Sequence, residues 1–136
     1  MIATENFFTD FYNANDSAKA SVLVDERLTN DFIDHSPAFG NSPDKAGFRA
    51  SVGFVNNAFR QHYRLEKLIS QGNLQAGVWT ADIQHVGEFM GVPPTQKSFT
   101  IQGITVYDIE HGLIRAHWEQ FDVLTILQQV GIIQLG

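Results

Sequence analysis

The amino-acid sequence predicts an α+β domain in which helices pack on a curved antiparallel sheet. Apolar residues recur at helical spacing through much of the first half of the chain, and strand-like segments dominate from Tyr63 to Asp122. Two connections between those segments, "QGN" at 71–73 and "EHG" at 110–112, are short enough for antiparallel hairpins. A chain of 136 residues without a linker favours one domain over residues 1–136.

The N-terminal elements are predicted to be two short helices and one extended segment. Thr4 can cap the first helix, in which four aromatic side chains recur at helical spacing. These side chains are Phe7, Phe8, Phe11 and Tyr12. "NDSAKASVLV" begins with an Asn-Asp cap and predicts a second helix, and "RLTNDFIDHS" predicts a short strand or extended segment that Pro37 ends.

A long amphipathic helix is predicted from Lys45 to His62, with Ser42 as its cap and Pro43 at its first position. Its apolar face consists of residues three or four positions apart, namely Phe48, Val52, Val55 and Phe59. Four strands follow in "YRLEKLISQG", "LQAGVWTADIQHVGEF", "SFTIQGITVYDIE" and "LIRAHWEQFD". The tail "VLTILQQVGI" returns to helical spacing.

The composition excludes several classes of function. The net charge of −6 is unfavourable for broad binding to nucleic acid or anionic lipid, so neither partner is expected. The absence of cysteine excludes disulfides, thiolate zinc sites and cysteine nucleophiles. The histidines lack HxH and HExxH spacing, and the chain has no phosphate loop, GxGxxG or GxSxG, so neither a metal nor a cofactor is expected. The first residues do not resemble a secretory signal, and no apolar run is long enough to cross a bilayer, so a cytoplasmic protein is expected.

His85 is the first candidate for a functional residue. Residues two apart share a face of a strand, and His85 ends the more apolar row of the strand that begins at Leu74. This row consists of Trp79, Ala81, Ile83, His85 and, past a glycine, Phe89. Histidine titrates near neutral pH and can transfer protons. A hydrogen-bonded structural histidine at the end of a strand is the alternative.

Asp122 is the second candidate, because alternation places it at the end of the row Ile114, Ala116, Trp118 and Gln120. A carboxylate beside apolar walls has a raised pKa and can transfer protons. We therefore expect Asp122 and His85 to face each other across a closed pocket, provided that no bulge reverses the alternation. Asp122 also directly precedes "VLTIL", so it can cap a helix as well as, or instead of, acting in catalysis.

Other polar residues have weaker signals. Asp34 and His35 end a strand, where either side chain could lie at the pocket mouth or in a surface turn. Alternation points His117 outward, and Glu119 is predicted to be solvated.

Three segments together resemble the SnoaL-like polyketide cyclases, also called ester cyclases, of the nuclear-transport-factor-2-like superfamily. They are "FIDHSP", "GEFMGVPPTQKSF" and "GITVYDIEHGLIRAHWEQFDVLTILQQVGI". The resemblance runs from about Phe32 to Ile132 and is carried by the ordered set rather than by any one piece. The sequence departs from the usual pattern at Gln84, where the family has threonine, and at Gln96, where it has glycine.

The resemblance implies a cone-shaped α+β barrel, in which a bent antiparallel sheet packs on N-terminal helices around a hydrophobic pocket. It also implies intramolecular aldol ring closure by acid–base chemistry, without a Schiff base or metal, on a small hydrophobic molecule. The catalytic positions that it carries over are Asp122, from the "HWxxxD" pattern, and His85. The substrate-binding residues expected on this basis are Trp118, Trp79, Phe89, His35 and Gln120. A homodimer through the outer face of the sheet is expected as well.

Two alternatives remain open at this point. The same pocket can support isomerisation or hydrolysis of a small carbonyl compound. A non-catalytic domain of the same fold, which binds a small molecule or serves in dimerisation, is the rival class, because a fold does not determine a function.

Overall fold

The structure, a computed structural model, describes residues 4–134. A 3-10 turn at Thr4–Phe8 precedes helices α1 (Asp10–Asn13), α2 (Ser17–Arg27), α3 (Lys45–Ala58) and α4 (Val123–Gln129). The strands are β1 (Leu28–Asp34), β2 (Phe59–Gln71), β3 (Leu74–His85), β4 (Ser98–Glu110) and β5 (Leu113–Phe121). Among the described residues, no helix is long and apolar enough to cross a membrane.

The strands form one sheet in the order β1-β5-β4-β3-β2. The three pairs among β2, β3, β4 and β5 are antiparallel, and short turns join β2 to β3 and β4 to β5, so the α+β class and both predicted hairpins are confirmed. β1, however, pairs in parallel with β5. The sheet is therefore mixed rather than wholly antiparallel, and it keeps β1 and β2 as edge strands.

Helix α3 differs from its prediction at both ends. Its cap is Asp44, whose carboxylate accepts a hydrogen bond from the backbone N–H of Gly47 at 2.9 Å. The hydroxyl of Ser42 donates a hydrogen bond to the same carboxylate and supports the cap. The helix ends at Ala58, because Phe59 already has extended backbone angles (φ −133°, ψ 145°) and begins β2. His62 therefore lies in a strand.

The core consists of two clusters between the helices and the inner face of the sheet. The first joins N-terminal aromatic residues to α2 and α3, and includes Phe11 and Phe48. The second lies around β2, β3 and α4, and includes Phe59 and Trp79. Phe48 and Trp79 both line the cavity described below, which therefore lies where the two clusters meet.

Strand β5 contains a bulge at Arg115. Asp108 of β4 lies opposite Ala116, but the next residue of β4, Ile109, lies opposite Ile114. One residue of β5 is therefore inserted between two successive pairs. Such an insertion breaks the regular alternation of side chains along the strand.

The bulge decides which residues of β5 face the helices. His117 is 2 % exposed, whereas Trp118 is 39 % exposed. The predicted inward row is therefore wrong beyond the bulge, because a shift of one residue moves every later side chain to the opposite face. His117 and Glu119 take the inner face, and Trp118 and Gln120 take the outer one.

Candidate active site

The inner face of the sheet, α1, α3 and the segment after β1 enclose a small cavity. Its polar lining consists of Tyr12, Asp34, Ser36, Ser51, Tyr63, His117 and Glu119. Its apolar lining consists of Ala38, Phe39, Phe48, Val55, Trp79 and Phe121. The cavity has a volume of about 40 Å³, which leaves room for only a few water molecules. The titratable side chains of this cavity form the candidate active site.

His117 and Asp34 lie side by side on the inner face. The parallel register of β1 and β5 places them opposite each other, and His117 Nδ1 lies 3.1 Å from Asp34 Oδ1. The ring nitrogen is close to the carboxylate but not aligned with it for a hydrogen bond. Both side chains are 3 % exposed, and the same oxygen of Asp34 accepts the N–H of Ser36 at 2.8 Å. The carboxylate and the imidazole therefore form a close, buried pair beside the cavity.

Glu119 lies two residues after His117 on the same face of β5. Its Oε2 accepts a hydrogen bond of 2.7 Å from the buried hydroxyl of Thr105, and its backbone N–H donates to Ser36 Oγ at 3.0 Å. Burial raises the pKa of Glu119 above its usual value; His117 and the Thr105 hydroxyl oppose this shift, and the charge of Asp34 adds to it. A carboxyl group with a raised pKa is suited to take a proton from a substrate and to return it.

Two stacked tyrosines complete the polar lining. The ring centroids of Tyr12 and Tyr63 lie 4.6 Å apart, with 15° between the ring planes. The side chain of Asn13 links α1 to β2, because its oxygen accepts the N–H of Tyr63 at 2.6 Å and its amide donates to the Tyr63 carbonyl at 3.1 Å. Burial, reinforced by the charge of Glu119, raises the pKa of both phenols. Both hydroxyls therefore keep their protons and can donate hydrogen bonds.

This arrangement can move a proton between two atoms of a bound molecule. Glu119 can accept a proton, and the His117–Asp34 pair can hold or release one. The phenols of Tyr12 and Tyr63 can donate to an oxygen on which negative charge develops.

A profile of the SnoaL-like polyketide cyclase family matches residues 3–130. The chain belongs to this family. Nogalonic acid methyl ester cyclase of Streptomyces nogalater is 28 % identical over 114 residues, which span 79 % of this chain and 83 % of that protein. Aklanonic acid methyl ester cyclase DauD of Streptomyces sp. (strain C5) is 29 % identical over 117 residues, which span 82 % of this chain and 69 % of that protein.

Solved structures of other proteins share the fold. TsrD from Streptomyces laurentii superposes with a TM-score of 0.73 at 24 % identity, covering 93 % of this chain and 90 % of that one. IdmH from Streptomyces antibioticus gives a TM-score of 0.72 at 26 % identity, covering 90 % and 91 %. These likenesses confirm the helix-on-sheet architecture that the sequence predicted.

Asp122 lies outside the cavity. Its carboxylate caps α4 by accepting the backbone N–H of Thr125 at 3.0 Å and the Thr125 hydroxyl at 2.6 Å, and these bonds lower its pKa. The side chain is exposed. The predicted common pocket with His85 is wrong, because the bulge at Arg115 places Asp122 in the outer row. A catalytic role for Asp122 stays a prediction, and the carboxyl groups that line the cavity are those of Asp34 and Glu119.

His85 is buried on the inner face, as predicted, but it does not line the cavity. Its Nδ1 accepts the backbone N–H of Thr95 at 3.2 Å and lies 3.0 Å from the Thr95 hydroxyl. Its backbone N–H donates to the Lys97 carbonyl at 3.0 Å, and its own carbonyl accepts the N–H of Gln96 at 2.9 Å. These bonds fasten the PPTQ turn to the end of β3, which agrees with the structural alternative. A catalytic role for His85 also stays a prediction.

The expected substrate contacts are divided between interior and surface. Trp79 lines the cavity. Phe89 is buried in the second core cluster, where its ring centroid lies 5.0 Å from that of Phe59. Of this pair, only Trp79 is placed to touch a molecule in the cavity.

Trp118, His35 and Gln120 lie on the surface. The His35 ring stacks on Trp118, with centroids 4.6 Å apart and 4° between the planes. The bulge explains the outward position of Trp118 and Gln120. His35 points outward because the preceding residue, Asp34, takes the inward position at the end of β1.

Sequence reasoning missed Glu119 and His117 as inward residues, and it assigned no site role to Tyr12 or Tyr63. Strict alternation along β5 hides the first two, because the bulge becomes visible only from the pairing with β4. The position of Asp34 was left open between pocket and surface, and the structure places it in the cavity.

Proposed function

We propose that this protein is a cofactor-independent cyclase that closes a ring by intramolecular aldol chemistry in a small hydrophobic carbonyl compound. The observation that carries the proposal is the Glu119 carboxyl group, with its raised pKa, beside the His117–Asp34 pair and two protonated phenols in one cavity. Membership of the SnoaL-like polyketide cyclase family supports it. The two related proteins are named as methyl ester cyclases, which supports ring closure in a carbonyl compound.

In the proposed reaction, Glu119 removes a proton from a carbon next to a carbonyl group. The resulting enolate attacks a second carbonyl carbon of the same molecule, so a carbon–carbon bond forms and that carbonyl becomes an alkoxide. The alkoxide then takes the proton back from Glu119, directly or through the His117–Asp34 pair, so the Glu119 carboxylate is restored and the product is an isomer of the substrate. Tyr12 and Tyr63 stabilise the enolate oxygen by hydrogen bonds.

The walls of the cavity supply the rest of the rate enhancement. Trp79 and Phe48 offer flat apolar surfaces that hold a flexible substrate in its folded form and exclude water. Such positioning contributes up to about 7–11 kcal/mol to lowering a barrier. Because the cavity holds only a few waters, binding of a larger molecule requires a lining side chain to move aside. Phe39 is suited to this, since it lines the cavity and is 37 % exposed.

The test compares two carboxyl variants with the wild-type protein. Purified protein is incubated with nogalonic acid methyl ester or aklanonic acid methyl ester, and formation of an isomer of unchanged mass is followed by chromatography and mass spectrometry. We expect Glu119→Gln to lower kcat by roughly 10²–10⁴-fold, the usual contribution of general acid–base catalysis. Asp122→Asn, which retains a helix cap, serves as the matched control and should keep most of the activity.

The opposite ranking of the two variants would restore Asp122 as the catalytic carboxylate and overturn the role of Glu119. If neither ester is converted but both bind to the wild-type protein, the non-catalytic binding domain replaces the cyclase.

We also propose that the protein forms a homodimer through the outer face of the sheet. The outward side chains of β1, β4 and β5 include three large apolar residues that are exposed, namely Ile33, Ile104 and Trp118. A second copy of the same face would remove this apolar surface from water.

A further inference from the structure

We propose that Thr105 is a positioning residue for the Glu119 carboxyl group, and that Trp79 sets the direction in which the Thr105 hydroxyl donates. The inference rests on the proposed role of Glu119 and adds the residues that control it. Thr105 does not line the cavity, so it acts through Glu119 rather than on a substrate.

The direction of donation follows from the chemistry of the two side chains. The indole N–H of Trp79 can only donate, and its Nε1 lies 2.9 Å from Thr105 Oγ1. The Thr105 oxygen therefore accepts from Trp79, and its single hydrogen remains for Glu119 Oε2, which lies 2.7 Å away. Both Trp79 and Thr105 are 2 % exposed, so water does not compete for these bonds.

Gly103 provides the space for this arrangement. It lies opposite Trp79 in the register of β3 and β4, two residues before Thr105. A Cβ atom at Gly103 would lie 2.6 Å from Trp79 Cη2 and nearer still to Cζ2, closer than real Cβ atoms approach other atoms. Because Gly103 has no side chain, the indole can lie flat across β4 with its N–H at Thr105. Glycine inside a strand normally destabilises the strand, so the space that the indole needs explains why position 103 is a glycine.

Two consequences follow for Glu119. With Oε2 engaged by Thr105, Oε1 is the oxygen that remains to exchange a proton in the cavity, since no described residue is hydrogen-bonded to it. The bond also favours the ionised carboxylate and so opposes the effect of burial on the pKa. Thr105 thereby keeps Glu119 able to act as a base at lower pH than burial alone would allow.

The experiment measures the ionisation of Glu119 directly. Protein labelled with ¹³C at the glutamate carboxyl groups is titrated by NMR, and the Glu119 signal is assigned by its loss in Glu119→Gln. We expect Thr105→Val to move the Glu119 midpoint to higher pH, Thr105→Ser to stay near the wild-type value, and Trp79→Phe to lie between them. Thr100→Val is the matched control, because Thr100 lies on the same strand and donates to an exposed carboxylate of Asp82 at 2.9 Å. It should leave the Glu119 midpoint unchanged.

The pH dependence of kcat/KM is measured on the same variants, and their folding is checked by thermal melting. A Thr105→Val protein that is folded and keeps the wild-type Glu119 midpoint overturns the inference. A midpoint that moves together with the acidic limb of the rate profile, where activity falls as the base becomes protonated, supports both the positioning by Thr105 and the catalytic role of Glu119. A midpoint that moves while the rate profile does not leaves Thr105 as the residue that tunes Glu119 and removes Glu119 from the proposed mechanism. If Thr105→Val does not fold, the Glu119 midpoints of Trp79→Phe and Thr100→Val are compared instead. A midpoint raised in Trp79→Phe but not in Thr100→Val supports the inference, and equal midpoints overturn it.

Discussion

The packing of Trp79 on Gly103 leads to a prediction about stability that requires no substrate. In Gly103→Ala the new methyl group would overlap the indole ring of Trp79, which is 2 % exposed, so the ring would have to shift within the core. Overpacking of this kind costs about 1–3 kcal/mol. The lower chain entropy of alanine in the unfolded state returns roughly 0.5–1 kcal/mol. The expected net loss in the free energy of unfolding is therefore roughly 0–2.5 kcal/mol.

Gly53→Ala is the matched control, because it makes the same chemical change with the opposite expected sign. Gly53 lies inside α3, and a Cβ atom there would lie 3.9 Å from Ser17 Cβ, which is ordinary contact. Alanine is favoured over glycine in a helix by about 1 kcal/mol, so this variant should be more stable than the wild-type protein.

Urea denaturation of Gly103→Ala, Gly53→Ala and the wild-type protein measures the change in the free energy of unfolding for each variant. In a Trp118→Phe background, the fluorescence of Trp79 alone reports whether the indole has moved. For a domain of this size each kcal/mol corresponds to a change in Tm of roughly 3–5 °C, so thermal melts of the two variants should differ by roughly 3–18 °C. If Gly103→Ala is as stable as Gly53→Ala and the emission of Trp79 is unchanged, the indole does not lie on Gly103, and the argument for the direction of the Thr105 hydroxyl fails.

Three further predictions concern the carboxyl groups and the outer face. The pKa of Glu119 is higher in the folded protein than in the unfolded chain, so Glu119 ionises first in the unfolded chain as pH rises. The wild-type protein therefore loses stability between the Glu119 pKa of the unfolded chain and that of the folded protein. Thermal melts between about pH 4 and 8 should therefore show Glu119→Gln gaining stability relative to the wild-type protein as pH rises; a constant difference would contradict the buried setting of Glu119. In urea titrations Asp122→Ala should lose about 1 kcal/mol of the free energy of unfolding and Asp122→Asn much less, because asparagine can still cap the helix. The stabilisation by the aspartate should fade as pH drops through its lowered pKa. Equal losses in the two variants would argue against the cap. Trp118→Glu should shift sedimentation-velocity profiles from dimer to monomer, and an unchanged profile would move the proposed interface away from this face.

Much of the fold could be predicted from local pattern. The order of helices and strands, both hairpins and the inward row from Trp79 to His85 all follow from spacing within one element. Asp122 as a helix cap was also visible, since it directly precedes the apolar spacing of α4. The end of α3 could not be predicted from the sequence, because Phe59 continues the helical spacing while its side chain belongs to the inner face of β2.

The candidate site was less accessible to sequence reasoning, because its members come from distant parts of the chain. Tyr12 is near the N-terminus, Asp34 ends β1, Tyr63 lies in β2, and His117 and Glu119 lie in β5. Spacing within one segment gives no information about which of these residues meet. Of the aromatic residues that enclose the cavity, only Trp79 was predicted to contact a substrate.

The sequence by itself determined the α+β class, the family resemblance and the presence of acids and histidines near the ends of strands. Only the tertiary structure decided which of them face one cavity. The physical reason is the bulge at Arg115: alternation is a property of one strand, but an inserted residue is defined by hydrogen bonding to the neighbouring strand. One unpaired residue in β5 therefore turns Asp122 to the surface and brings Glu119 and His117 inside.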